Sequence, residues 1–170
     1  MLALLQRKLR DKQVTVEKEY AGSAEALEVM AIAGEMRQVF WNLLANALDA
    51  LGAGGRIRVR VAHSRDRRPG HDGGHALRVS VGDNGSGISS QAQARIFEPF
   101  FTTKSAGTGL GLWVASEILR KHGGSLRVRS STVSKRRGTV FSLLIPAGPE
   151  REAGAAAGVE PAPQRLPSAS

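Results

Sequence analysis

Three short stretches alternate apolar with polar residues at a period of two, and that period most narrows what the chain can fold into. In "VTVEKEY" Val14, Val16 and Tyr20 fall on one side, Thr15, Glu17 and Glu19 on the other. In "RIRVRVAH" Ile57, Val59 and Val61 oppose three arginines, and "ALRVSVG" repeats the pattern with Leu77, Val79 and Val81. Such strands have one apolar face and one wet face. A sheet made of them needs a cover on one side only. "SLRVRSS" and "GTVFSLLIP", joined by the basic turn "TVSKRRG", read as two further strands.

Helices supply the cover. Residues 35–51, "EMRQVFWNLLANALDAL", place Met36, Val39, Phe40, Leu43, Ala47 and Leu51 on one helical face. Gly52 reads as the stop. "LGLWVASEILRKH" is a second helix, ended by Gly123 and Gly124. Ser89 reads as the cap of a short helix running to about Phe97. Residues 2–9 read as the end of a helix, 21–34 as a turn with a short strand near Leu27 to Met30, and 64–75 as a polar loop. The expected class is α+β: a two-layer α/β sandwich, its mixed and mainly antiparallel sheet covered on one face by helices. The expected divisions are a helix end at 1–10, one domain at 11–146, and a disordered tail at 147–170, where Ala, Gly, Pro and Ser dominate.

The charge balance is +9. Arginines cluster at Arg56, Arg58 and Arg60, then at Arg65, Arg67 and Arg68. Aromatic residues make up only 5% of the chain, too few to interleave with these cations and stack bases. That argues against nucleic acid as the principal partner. No apolar run is long enough to span a membrane. The start of the chain is unlike a signal peptide, and cysteine is absent. A cytoplasmic location, by itself or as part of a larger sensor, is the expectation.

Four polar elements have both a plain reading and a chemical one. Gln38, Asn42, Asn46 and Asp49 share one side of the long helix. They are either a solvated face or a source of amide oxygens, which suit Mg²⁺. "DNGSG", at 83–87, is either a connector turn or the floor of a ligand site with one carboxylate. "GTGLGL", at 107–112, opens a helix whose free N–H groups can meet phosphates. It is no P-loop, since GxxxxGK[ST] is absent. "IFEPFFTTK", at 96–104, carries Phe97, Phe100 and Phe101 as apolar anchors of an irregular segment. It is either a core-packing aromatic cluster or part of a lid.

In order and spacing, "NLLANALDA", "DNGSGI", "IFEPFFTTK" and "GTGLGL" resemble the N box, first glycine box, F box and second glycine box of sensor histidine kinases. These belong to the GHKL superfamily of ATPases and kinases. The resemblance covers about residue 10 to Pro146. It implies an ATP- and Mg²⁺-binding catalytic domain. Asp83 would bind the adenine amino group, with Gly85, Gly87 and Ile88 framing the base and Thr139 near it. Asn46 would be the principal Mg²⁺ ligand, and Asn42 would help at the phosphates. Gly107, Thr108, Gly109, Leu110, Gly111 and Leu112 would line the phosphate side, and Lys104 would reach the terminal phosphate from the lid.

Hydrolysing members of the superfamily carry a glutamate base where this chain has Asn42, so phosphoryl transfer is favoured over hydrolysis. Asp49 departs from the basic residue many histidine kinases have at its position, so a phosphate contact there is expected to be lost. The family's acceptor histidine opens an amphipathic helix in a separate dimerising hairpin. His63, His71, His75 and His122 lack that context and read as surface or strand residues. The implied module therefore works with a hairpin and a response regulator, in cis or in trans. Alone it is expected to be monomeric and not to autophosphorylate. An anti-sigma-factor-type serine kinase and a non-catalytic nucleotide-binding module are the alternatives.

Overall fold

The structure is a computed structural model that describes residues 2–21, 29–68, 73–105 and 107–147, with side chains from Leu5 onward. The tail beyond residue 147 lies outside the described residues, as does 22–28. The short strand expected near Leu27 to Met30 therefore falls partly outside them; Val29 to Ile32 are described and form no strand.

The elements in order are α1 (Leu2–Asp11), β1 (Thr15–Ala21), α2 (Ala33–Ala50), β2 (Arg56–Arg65), β3 (His75–Asp83), α3 (Ser90–Gln93), α4 (Gly111–Lys121), β4 (Ser125–Ser131) and β5 (Gly138–Pro146). The five strands form one sheet in the order β1-β2-β3-β5-β4. β1 runs parallel to β2, and the other three pairings are antiparallel. This is the expected two-layer α+β arrangement. Val59 pairs with Val81 and Val81 with Phe141, so one apolar face runs across the central strands.

Two helices cover that face. Val39, Leu43, Ala47 and Leu48 of α2 meet Ala115 and Leu119 of α4 over Ile57, Val79, Val81, Phe141, Leu143 and Ile145. All of these are 3% exposed or less except Phe141, at 4%. Fully burying a Val, Leu, Ile or Phe side chain stabilises a fold by about 1.5–3 kcal/mol, so this cluster is the chief source of stability. Glu35, in the first turn of α2, clamps the end of α4: it accepts from Lys121 and pairs with His122 at 2.8 Å. Those contacts hold its carboxyl below the usual range, Lys121 contributing most.

Two expectations need correction. β1 was expected to be half-buried through Val16 and Tyr20, but these are 37% and 67% exposed. β1 is the sheet edge, while α2 packs over β3 and α4 over β4, leaving the edge uncovered. The end of α2 is also not a glycine stop at Gly52. The helix leaves through Leu51 in extended conformation (φ −87°, ψ 138°). Its last carbonyls are capped by a distant cation: Lys12 Nζ donates to Leu48 O at 2.7 Å and Leu51 O at 2.9 Å. A cation there also opposes the negative end of the helix dipole. At α4 the expected glycine ending holds, with Gly123 at φ +67° and Gly124 N–H donating to Leu119 O at 2.7 Å.

The Lys12 cap ties α1 to the far end of α2. Replacing it with Met keeps the apolar stem and removes both charged hydrogen bonds. Lys12→Met is expected to lower unfolding free energy by about 1–2 kcal/mol, read as an earlier urea midpoint with an unchanged slope.

Candidate nucleotide site

The site forms where α2, the ends of β3 and β5, and the start of α4 converge. A cavity of about 270 Å³ is lined there by Asn42 and Asn46 of α2, Asp83, Ile88, Lys104, Thr139 and the segment from Gly107 to Leu112, Leu110 excepted. Eleven of the fourteen expected positions line this cavity, and two junctions pin its strand end to the rest of the fold. At the first, Asp83 pairs in register with Thr139, putting the carboxylate and the hydroxyl on adjacent strands. At the second, Ser86 N–H donates to Ala50 O at 3.1 Å, tying the turn after β3 to the end of α2.

Asp83 accepts from Gly85 N–H at 2.8 Å. Burial pushes its carboxyl above the usual range, and the backbone N–H groups of Gly85 and Thr139 pull it partly back. A carboxylate held in such surroundings gains from any further donor delivered to it. The Thr139 side is held by Ser130, whose Oγ donates to Gly138 O and accepts from Ile88 N–H, both at 2.8 Å. With that proton committed, the Thr139 hydroxyl donates to Ser130 at 2.9 Å, and its lone pairs remain to accept.

The glycines of the 83–87 turn act differently from the expectation. Gly85 and Gly87 do not line the cavity. A Cβ on Gly85 would lie 2.6 Å from Ala50 O, and Gly87, at φ +76°, faces the backbone of Ser131. Their missing side chains let the turn lie against α2 and β4; they do not clear a path for a ring. Leu110 likewise stays out of the lining and serves as the N-cap residue of α4. No side chain caps that helix, so its first N–H groups are open to an anion at the Gly111 end.

Along α2, the buried stripe turns Asn42 and Asn46 toward the cavity. Asn42 Nδ2 is buried and, among the described residues, has no hydrogen-bond partner. Such an orphan donor is costly unless something accepts from it. Asn46 Oδ1 accepts from Lys104 Nζ at 2.8 Å, and the same ammonium donates to Asp49 Oδ2 at 2.9 Å. Burial works upward on the Asp49 carboxyl, but Lys104 and then Lys8, 3.6 Å away, outweigh it and hold it below the usual range. Gln38 lies further along the helix and does not reach the cavity.

The lid segment is anchored by two of its three expected aromatics. Phe97 and Phe101 pack against the core, and Arg95 lies over the Phe101 ring at 4.5 Å. Phe100 is 73% exposed and has a left-handed backbone (φ 65°), so it anchors nothing. Gly109, at φ +68°, lies against the Phe100 backbone and leaves no room for a side chain.

The sequence reading missed the apolar wall, Ala92, Ile96, Phe101 and Phe141, and the small residues Ala45 and Ala50. It also missed Gln93, whose Nε2 donates to Ile88 O at 2.9 Å and Ser130 O at 3.1 Å. The helical and strand periods marked several of these as buried, but nothing local marked them as facing a cavity.

The residues fit a nucleotide and a divalent cation. The Lys104 ammonium already stands as a cation on Asn46 Oδ1, the buried Asn42 donor has no acceptor among the described residues, and an uncapped helix start adjoins the same cavity. No cluster of three or more His, Cys, Asp or Glu side chains suited to a metal exists among the described residues. A metal here would depend on an amide oxygen and on ligand oxygens, a coordination habit of Mg²⁺.

Comparison with known proteins agrees with this geometry. Residues 32–149 match the family described as histidine kinase-, DNA gyrase B- and HSP90-like ATPases. The chain is 38% identical over 115 residues to the signal transduction histidine-protein kinase AtoS of Escherichia coli, covering 68% of this chain and 17% of AtoS. It is 40% identical over 159 residues to the two-component sensor PprA of Pseudomonas aeruginosa, covering 90% of this chain and 16% of PprA. The chain thus spans about a fifth or less of these relatives. The nucleotide-free catalytic domain of histidine kinase ThkA superposes with a TM-score of 0.67 at 32% identity, over 85% of this chain and 86% of that one. ThkA has also been solved in complex with the response regulator TrrA; that kinase matches with a TM-score of 0.64 at 31% identity, over 88% of this chain and 39% of its own. By sequence and fold, the chain belongs to the histidine kinase branch of this ATPase family.

Proposed function

We propose that this domain holds Mg–ATP for transfer of the γ-phosphoryl group to a histidine on a separate helical hairpin, as the catalytic module of a two-component sensor kinase. The observation that carries the reading is the meeting of Asp83 with Asn42 and Asn46 around one cavity, with a lysine ammonium occupying Asn46 Oδ1.

Asp83 accepts the adenine amino group, and the Thr139 hydroxyl stands beside it as a second polar contact. Asn42 donates to phosphate oxygens. The start of α4 faces the phosphates with its open N–H groups. When bound, the metal neutralises phosphate charge; Asn46 Oδ1 is its protein ligand. Lys104 leaves Asn46 for the terminal phosphate. In the reaction, the bond from the γ-phosphorus to the bridging oxygen breaks, ADP leaves, and a phosphorus–nitrogen bond forms on the acceptor imidazole. The chain's part is positioning and charge stabilisation. Asn42 has no basicity with which to activate water, which favours transfer over hydrolysis.

The acceptor is assigned to another hairpin because the described histidines do not fit the role. His63 and His75 lie at the far ends of β2 and β3, and His122, only 10% exposed at its side chain, is bound to Glu35. Its burial corrects the surface reading of that residue. His71 lies outside the described residues. α1 is the natural candidate for the end of the hairpin's second helix, and a response regulator is the proposed downstream partner. Among the described residues, no helix is long and apolar enough to cross a membrane, and a cytoplasmic setting is proposed with the rest. Labelled ATP with a supplied histidine hairpin tests the reading. Acid-labile phosphate on the hairpin is expected, and none on the domain alone. Acid-stable phosphate on a serine would turn the reading toward a serine kinase, and ATP binding with no transfer toward a non-catalytic module.

Asp83 gives a test that separates binding from folding. Its carboxyl is raised by burial, so the folded state takes up a proton more readily than the unfolded chain. The empty domain therefore gains stability as pH falls through the raised value toward the ordinary one. Asp83→Asn removes the buried charge. At pH 7 it is expected to melt no lower than the parent, with any advantage fading on acidification, yet to lose at least tenfold in affinity for an ATP analogue by calorimetry.

A second test concerns Lys104. Its pairing with Asp49 competes with any ligand that needs Asn46. Both side chains are about 40% exposed, so the pair is worth little in water. Asp49→Asn is expected to tighten Mg–ATP-analogue binding by about twofold to fivefold, an effect that shrinks with added salt. Lys104→Met is expected to weaken it. Weaker binding by Asp49→Asn, or unchanged binding by Lys104→Met, in titration calorimetry would refute the assignment.

A further inference from the structure

A second hollow is larger than the nucleotide site. It lies on the open face of the sheet, opposite the face that α2 covers and reaching the end of α4, and has a volume of about 650 Å³. Its walls come from three places: Arg65, Arg67 and Arg68 at and after the end of β2, Arg78 on β3, and Arg127 on β4. Ser64, Ser125 and Ser142 add hydroxyls, and Leu144 forms an apolar part of the floor. His63 and His75 also line it, and no carboxylate and no Phe, Tyr or Trp ring is among its lining residues.

The arginines of this face divide into two groups. Those near the β1 edge are neutralised: Arg56 and Arg58 pair with Glu17 at 3.2 and 3.0 Å, and Arg60 with Glu19 at 3.1 Å. At the hollow only Arg68 has such a partner. It grips Asp66, which is 3% exposed, and donates to Gly123 O, making a rigid wall against the end of α4. Arg78 is steadied by Ser64 Oγ at 3.2 Å, a neutral partner. Arg65, Arg67 and Arg127 have no ion pair among the described residues.

Several guanidinium groups around one concavity repel each other, and a bound anion relieves that. Arg78 pairs opposite Leu144 and Arg127 opposite Ser142, so they flank β5 from both sides. Their strands are two spacings apart, about 10 Å, and the hollow between them, about 650 Å³, has room for more than one phosphate group. Guanidinium forks and serine hydroxyls match phosphate oxygens. The only rings in the lining are the imidazoles of His63 and His75, which can also meet anionic oxygens, and no Phe, Tyr or Trp offers the broad platform on which bases stack.

We infer that this hollow is a second ligand site, distinct from the nucleotide cavity, and that it takes a compact molecule carrying several phosphates, read by its anionic groups alone. Ligand there bridges β3 and β4 and lies against the end of α4, the helix whose other end opens on the nucleotide cavity.

Inorganic tripolyphosphate serves as the probe, titrated calorimetrically into the full chain at about physiological ionic strength. Arg78→Ala/Arg127→Ala is expected to weaken it at least tenfold. Arg136→Ala/Arg137→Ala, the same charge change at the exposed β4–β5 turn, is expected to shift it less than twofold. Binding of an ATP analogue should be unchanged in both. Ser142→Glu, which sets a carboxylate on the floor, is expected to abolish probe binding with the melting temperature preserved, and so guards against a folding artefact. No binding of tripolyphosphate, equal loss in both arginine pairs, or an indifferent Ser142→Glu would overturn the site. Tighter binding of hexaglutamate than of tripolyphosphate would also overturn it, in favour of an acidic protein segment.

Discussion

The rotational setting of α2 governs the rest of the molecule. Val39, Leu43, Ala47 and Leu48 are buried together against the sheet and α4, and a helix buried along one stripe cannot turn about its axis. Asn42 and Asn46 are one turn apart on the flank of that stripe. Packing therefore aims them into the cavity with no contribution from their own polarity. The orphaned Asn42 Nδ2 shows the cost: a buried donor is kept unpartnered by the hydrophobic contacts on either side of it. Strained or unsatisfied groups persist where the surroundings over-determine them, and functional sites are where they gather.

The two ends of the cavity are built on different principles. Around Asp83 the groups are pinned by backbone: the Asp83–Thr139 register, the Ser86 bond to Ala50 O, and the Ser130 and Gln93 bridges to Ile88. Around Asn46 the contacts are side-chain ion pairs at the surface, between Lys104, Asp49 and Lys8. Such pairs are weak in water and exchange easily. One end is thus preformed and the other is electrostatically provisional, which suits a segment that must admit and release a charged ligand. Asp49 has a place in this scheme that its departure from the family pattern did not suggest. Its carboxylate holds the Lys104 ammonium beside Asn46.

Much of this was legible from residue order. The period-two strands and the two amphipathic helices correctly indicated a one-sided sheet under helices, because side-chain alternation maps directly onto a face. Errors arose where a neighbour distant in sequence decides the outcome. Val16 and Tyr20 alternate properly, yet the helices stop short of their strand. Gly52 looks like a helix stop, yet Lys12 from another element caps α2. The glycines at 85 and 87 looked like room for a ligand, yet each makes room for backbone.

By itself the sequence determined the elements, their apolar faces and the kind of chemistry available: one carboxylate in a glycine turn, two amides a helical turn apart, and an uncapped helix start. Those follow from local geometry and from the side chains' own functional groups. Only the tertiary structure decided which of them meet. It brought Asp83 beside Thr139, across 56 residues of chain, through strand pairing, and set Lys104 on Asn46 through the path of the lid. It also gathered arginines from three separate elements around one hollow. Contacts of that span depend on the packing of the whole core, a free energy summed over many residues that no short window contains.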